Sequence, residues 1–331
     1  MTRKAFLGAL NLALLAACGG ETSQVGDPNV DAGTDGMEGI DAAGTCFSKG
    51  RPDGGAVCGW NVKVVGDPAI CRIPTDAGMI PPDVCNQLCG PDSQAHPTKV
   101  CYWSPPGTLL CGPGCAGRRP AGLGPNRSTA DNALAKYFVE MAYLEAASIP
   151  AFHILSNELA AHGAPADLRR AMRVAAEDEV RHARMARLVA ERFGGVVRAP
   201  IVARGPVRTL FEVALENAIE GCVGETWGAL QVAWQAKHAE PSLRSMFATI
   251  ARDEAEHALL GWRIAAWAES GLTRDERKRV EAARACAIQS LVASLKFEPD
   301  ASLLQTAGLP RSTHALQMAR SLFDDLRSCA A

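Results

Sequence analysis

The chain has 331 residues, a length that accommodates roughly one to three domains. Its 34 basic and 36 acidic side chains leave a formal net charge of −2, so the overall balance gives no case for nucleic acid as a partner. A hydrophobic share of 47% beside 21% charged residues is ordinary for a globular protein, and an aromatic share of 5% tilts the expectation toward helix rather than sheet.

At the N-terminus, Arg3 and Lys4 precede an apolar run over 6–17. That run has the length of a signal-peptide core and is too short for a dependable membrane span. It closes as Leu15-Ala16-Ala17-Cys18, which resembles the lipobox of bacterial lipoprotein signals; ordinary secretion with Cys18 incidental is the rival reading. The resemblance implies that 1–18 is a signal peptide ending at Cys18, that Cys18 is acylated, and that the exported chain is anchored in a lipid bilayer at the cell envelope. Each buried CH₂ of such an anchor contributes about 0.8 kcal/mol. Gly19, rather than Asp, follows the cysteine, which by the same resemblance favours the outer membrane where the cell has one.

Residues 19–45 are rich in Gly, Asp and Ala and almost lack large apolar side chains. They cannot bury enough surface to offset chain entropy and read as a flexible linker. The segment 46–116 holds Cys46, Cys58, Cys71, Cys85, Cys89, Cys101, Cys111 and Cys115 among frequent Gly and Pro, without helical periodicity. An even count in an exported chain reads as a disulfide framework of unassigned connectivity. Zinc is the alternative, because Cys85-x3-Cys89 and Cys111-x3-Cys115 have ligand-like spacing, but an oxidising compartment favours disulfides. Nothing in this module has a catalytic pattern; it reads as a stalk, spacer or protein-contact part.

Residues 117–128 form a second linker, and from 129 to 331 the pattern becomes long apolar-periodic segments with helix start and stop signals. The first helix is expected over about 129–162, the second from Pro165 to Gly194-Gly195, the third after Pro206 to about His238, and the fourth from Pro241 to before Gly271. Two further helices begin near Thr273 and Ser312. Pro165 and Pro241 suit first-turn positions, where a missing N–H costs nothing. Pro150 removes a hydrogen bond inside the first helix and predicts a kink there. The fold class is therefore all-α over this region: a four-helix bundle with two extra C-terminal helices, preceded by the small disulfide-rich module. Cys286 and Cys329 are candidates for a disulfide joining the last two helices.

Chemistry concentrates in two of these helices. The second contains Asp178-Glu179-Val180-Arg181-His182 and the fourth contains Asp253-Glu254-Ala255-Glu256-His257. In each, Glu-x-x-His puts both side chains on one helix face, where they can share a metal. Only about 0.4 such matches are expected by chance from seven histidines. The first helix supplies Glu145 and the third supplies Glu220. Glu145 to Glu179 spans 34 residues, as does Glu220 to Glu254, and the whole set recurs 75 positions later. Two pseudo-symmetric hairpins carrying four carboxylates and two imidazoles suit a pair of iron ions, and the same set tolerates manganese or a mixed pair. Glu216, one turn before Glu220 on the same face, is a candidate to support a ligand by hydrogen bonding or to bind the metal itself. Glu225 lies five residues on and well off that face of an α-helix. Gly221 and Gly224 beside Glu220 either leave room for oxygen or permit close helix packing.

This pattern resembles the ferritin-like superfamily, which includes bacterioferritins, rubrerythrins and bacterial multicomponent monooxygenases. The 178–182 segment is similar to the Asp-Glu-x-Arg-His segment of the monooxygenases, although Glu256 stands where the second copy would carry Arg. The resemblance covers about 129–270. It implies a carboxylate-bridged diiron site held by Glu145, Glu179, His182, Glu220, Glu254 and His257, with Asp178 orienting His257 and Asp253 orienting His182. It also implies an oxidoreductase reacting with oxygen or peroxide. No dinucleotide or flavin fingerprint is present in the sequence, so reducing power would come from an external electron donor. Ferrous-iron oxidation or iron handling, and a metal-stabilised structural lipoprotein without catalysis, are the alternatives open at this point.

Overall fold

The computed structural model describes residues 126–203, 205–296 and 298–330, with Lys4, Leu7, Gly8 and short pieces between (47–48, 60–64, 100–104, 108–112, 120 and 123–124). Cys18 and its lipidation, the 19–45 linker and the disulfide pairing of 46–116 lie outside the described residues, as does a pairing of Cys286 with Cys329. Within the cysteine-rich segment, β1 (Phe47–Ser48), β2 (Trp60–Val64), β3 (Val100–Ser104) and β4 (Thr108–Gly112) form an antiparallel sheet in the order β1-β2-β4-β3. Cys101 stands opposite Cys111 in its register.

The region beyond is helical. α1 (Ala133–Ala161) begins four residues later than its apolar periodicity suggests. Two interactions set that start. The Asn132 side chain accepts from the Ala135 N–H at 2.8 Å, a standard cap for an orphan first-turn donor. Thr129 is already paired with Val196 through two backbone hydrogen bonds. α1 continues through Pro150. α2 (Ala166–Arg192) follows a tight turn in which Gly163 adopts φ 76°, and it ends at Gly194 with φ 87°, a left-handed conformation that glycine adopts without a Cβ penalty.

A crossing segment, 193–209, leads to the third rod. This rod is not a uniform α-helix: α3 (Leu210–Glu216) passes into a π segment, π1 (Asn217–Gly224), and resumes as α4 (Glu225–His238). Its start is fixed by a reciprocal capping box between Thr209 and Glu212. α5 (Pro241–Ser270) carries Pro241 in its first turn. α6 (Arg274–Ser294), a short π2 segment (Leu303–Ala307) and α7 (Ser312–Ala330) complete the chain.

α1 packs along α2, α4 and π1 pack along α5, and α2 meets α5. The four long rods enclose two apolar layers. One contains Phe138 of α1, Ala190 of α2, Val232 of α4 and Phe247 with Ile250 of α5. The other contains Phe152 and Leu155 of α1, Met172 of α2, Val213 of α3 and Leu260 with Ile264 of α5. Burying each large side chain contributes about 1.5–3 kcal/mol. Between these layers each rod buries a carboxylate, joined by an imidazole on α2 and α5: Glu145, Glu179 with His182, Glu225, and Glu254 with His257. α6 and α7 cover the outer side of α4, where Leu291, Met318, Leu322 and Phe323 pack on Trp227, Leu230 and Trp234.

Candidate metal centre

The polar layer is built by one turn from each rod: Glu145 of α1, Glu179 and His182 of α2, Glu225 of α4, and Glu254 and His257 of α5, all buried. They form two groups able to hold a metal ion, Glu145, Glu179, His182 and Glu254 in one and Glu225, Glu254 and His257 in the other. Within each group the potential ligand atoms lie within 4.8 Å of one another, and Glu254 belongs to both. Glu254 Oε1 is 3.2 Å from His182 Nδ1 and 3.5 Å from His257 Nδ1. Glu179 also faces both rings, with Oε1 3.1 Å from His257 Nδ1 and Oε2 3.8 Å from His182 Nδ1. Glu145 Oε2 lies 3.5 Å from His182 Nδ1. The ring centroids are 5.9 Å apart, so two carboxylates from opposite hairpins stand between two imidazoles.

This layer is electrostatically costly without cations. Burial, reinforced by the charge of Glu179, pushes the Glu145 carboxyl well above its ordinary range. Burial acts in the same direction on Glu254, but the imidazoles of His257 and His182 outweigh it and hold that carboxyl low. For His182 and His257, burial would favour the neutral ring; the surrounding carboxylates overcome it and raise both. The cluster thus recruits positive charge. Carboxylate oxygens stand 3.1 to 3.5 Å from the two Nδ1 atoms, yet Glu179 Oε2, His182 Nδ1 and His257 Nδ1 are buried without a well-aligned hydrogen bond, and buried polar atoms rarely remain so. Their common orientation into the layer, and a donor set of carboxylate oxygens and imidazole nitrogens, fit a bound metal. Four ionised carboxylates balance two divalent cations.

The outer nitrogens of the two rings are held crosswise. His182 Nε2 is 3.3 Å from Asp253 Oδ2, and His257 Nε2 is 3.3 Å from Asp178 Oδ2. In a neutral ring, an Nε2–H donated to a carboxylate leaves the Nδ1 lone pair facing the layer and fixes the ring's orientation. Burial would raise the Asp178 carboxyl, but hydrogen bonds from His257 and Arg181 outweigh burial and hold it below its ordinary range. One guanidinium serves both halves: Arg181 Nη2 lies 2.5 Å from Asp178 Oδ1 and 3.0 Å from Asp253 Oδ2. Arg252 Nε adds a contact to Asp253 Oδ1 at 3.2 Å. Glu256, at the position matching Arg181, is exposed.

Two of the expected site residues lie outside the two metal-competent groups. Glu225, and not Glu220, enters the buried layer. Glu220 is half-buried and belongs to neither metal-competent group. The cause is π1: the Glu225 N–H donates to the Glu220 carbonyl, a turn that closes on the fifth residue. Such a turn returns residue i+5 toward the face that an α-helix would have turned it away from. A signal was present in the sequence, since Glu140 and Glu145 share the five-residue spacing of Glu220 and Glu225. Glu140 is held by Asn126 Nδ2 at 2.8 Å. Glu216 is the other. It pairs with Arg208 of the crossing segment, which also grips Glu158 at 2.7 and 2.8 Å. It therefore ties the crossing segment to α1 and α3. The close-packing reading of Gly221 is the observed one: a Cβ at Gly261 of α5 would lie 2.6 Å from the Gly221 carbonyl oxygen. Cys222 is a buried core thiol beside the Gly261 carbonyl, to which Asn217 Nδ2 donates at 2.9 Å.

Comparison of the chain with protein-family models, with curated proteins and with solved structures found no match.

Proposed function

We propose that the four long rods form a ferritin-like bundle holding two iron ions, and that the protein is a diiron oxidoreductase acting on oxygen or peroxide. The observation that carries this reading is the buried layer itself: four carboxylates and two imidazoles in two groups that share Glu254. In this reading Glu145 and His182 belong to one ion, Glu225 and His257 to the other, and Glu179 and Glu254 to both. A bound iron pair supplies reversible ferrous–ferric chemistry. The protein's own part is to hold and shield it. Asp178 and Asp253 keep the proton on Nε2 of the imidazoles, which leaves Nδ1 to the metal. The apolar layers around Phe247 and Phe152 exclude bulk water on either side of the site. Manganese or a mixed pair would suit the same donors. The chain would be exported and anchored through acylated Cys18, which puts the chemistry at the cell envelope.

The test loads the full-length protein with ferrous iron in the absence of oxygen, counts the metal, then admits oxygen or peroxide while ferric absorbance is followed. Two irons per chain that oxidise with consumption of the oxidant support the reading. Two irons that stay ferrous under both oxidants would reduce the site to a structural metal pair.

A further inference from the structure

Three of the large apolar side chains that stay exposed among the described residues stand on α2: Val174, Val180 and Leu188, exposed by 51%, 54% and 59%. The arginines of this outward face are nearly balanced by acids of α2 and of the adjoining α5, so its net charge is small and the order of its charges matters more than their sum. Arg170, Glu177, Arg184 and Glu191 recur every seven residues with alternating sign, all exposed. Seven residues are close to two turns, so the four lie on one stripe, about 10 Å apart in succession. Helix neighbours that can pair are three or four residues apart, so this spacing gives the four no stabilisation from one another within one helix. Arg170, Glu177 and Arg184 form no ion pair among the described residues, and Glu191 meets Arg187 at 2.8 Å.

Signs that run plus, minus, plus, minus along a helix run minus, plus, minus, plus when the helix is reversed. The stripe is therefore complementary to itself in antiparallel orientation, the arrangement that a two-fold axis generates. We propose that the outward face of α2 is the contact surface for a second copy of this chain, with the two α2 helices antiparallel about an axis between Val180 and Arg181. Glu177 then faces the second copy's Arg184 and Arg170 faces the second copy's Glu191, and the axis repeats both pairs. Val174 comes beside the second copy's Leu188, so exposed apolar side chains cover one another on both sides of the axis. The two Arg181 guanidiniums approach at the axis, where each is already neutralised within its own chain by Asp178 at 2.5 Å and Asp253 at 3.0 Å. A uniformly acidic or basic partner would be opposed by half of the stripe's charges, whereas a second copy matches all four. α2 has 27 residues and is about 40 Å long. One helix per copy is a small interface, below about 1,200 Å², which gives a reversible, concentration-dependent dimer. The contact does not require metal in the buried layer.

The test follows full-length protein by sedimentation velocity over a concentration series. Wild type is expected to pass from monomer to dimer, with an affinity that falls as salt is raised. Glu177→Arg puts like charge opposite Arg184, and Arg184→Glu puts like charge opposite Glu177. Each single variant is expected to dimerise at least tenfold more weakly than wild type. An equimolar mixture of the two single variants regains both opposite-charge pairs and is expected to form a mixed dimer close to wild-type strength. The double variant Glu177→Arg/Arg184→Glu is expected to dimerise with itself for the same reason. Both positions are exposed, and circular dichroism checks that the helices are kept. Should a single variant lose helix, the salt series and the double variant still decide. A wild type that stays monomeric throughout, or whose dimer is indifferent to salt, would overturn the contact. Single variants that dimerise like wild type would place the association on another surface and overturn it as well. A folded mixture, or a folded double variant, that fails to associate would overturn the antiparallel pairing.

Discussion

The hairpin of α1 and α2 and the hairpin that ends in α5 supply equivalent groups to the buried metal-competent layer by different means. In the first, Glu145 stands on an uninterrupted α-helix and faces Glu179 and His182 across one tight turn. In the second, Glu225 reaches the layer only because eight residues of π-helix precede it. The outer support is also unequal: Arg181 of the first hairpin spans both aspartates, whereas the matching position of the second carries an acid, Glu256, which is exposed. A near-symmetric set of buried carboxylates and imidazoles thus does not need a symmetric backbone. A π segment re-aims one side chain by a turn of different pitch while the rest of the rod keeps its packing.

The largest effect is expected where the hairpins share a ligand. Glu254→Ala removes the carboxylate nearest His182 Nδ1 and the one residue common to both groups. We expect metal content to fall from two ions toward none. Removing one partner from a buried charged cluster should also cost the metal-free protein about 3–5 kcal/mol. Metal analysis and denaturant unfolding measure both; retention of two ions would break the idea of a shared carboxylate. Arg181→Ala comes next. It should weaken metal binding at both positions by about 10–100-fold, the usual consequence of losing support for a ligand. Competition with a chelator reads this, and weakening at one position only would show that the aspartates do not depend on a common guanidinium.

The glycine contact between the hairpin's two arms sharpens the comparison further. Gly261→Ala forces a Cβ against the backbone of Gly221, which cannot rotate away. It should cost about 1–3 kcal/mol. At Gly224 the nearest atoms would be at 3.6 and 3.8 Å, ordinary contact distances, so Gly224→Ala should cost less; thermal unfolding of the two variants decides this. The smallest effect concerns Tyr137, whose hydroxyl donates to Gln235 Oε1 at 3.1 Å. Burial, opposed by that hydrogen bond, raises its pKa to about 12, against about 10 in an unfolded chain. A raised folded pKa means that its contribution is complete below about pH 10 and is lost as pH rises through about 12. The stability difference between wild type and Tyr137→Phe should therefore be constant up to about pH 10 and shift against the wild type above it. A difference independent of pH would place the hydroxyl in a wetter setting than this one.

Regular helix made much of the site readable from sequence. Glu179 and His182, and Glu254 and His257, are three residues apart on uninterrupted α-helix, so their common face follows from the helical period. Glu225 was not readable that way, because α periodicity turns residue i+5 by about 140° from residue i, and only the π geometry brings it back. Glu216 shows a different limit. Its spacing suits the metal face, but Arg208 arrives from the crossing segment and takes it, and tertiary partners leave no trace in periodicity. The start of α1 was displaced for a similar reason, since Thr129 pairs with Val196 at the far end of α2. In the cysteine-rich segment, strands of two to five residues among Gly and Pro are too short for alternation to register.

The measurement that tests the central claim most directly is the iron count of the full-length protein beside Glu225→Ala and Glu220→Ala, each loaded anaerobically. The account predicts two irons in the wild type, one or none in Glu225→Ala, and two in Glu220→Ala. Absence of iron from the folded wild type, or a loss confined to Glu220→Ala, would contradict it.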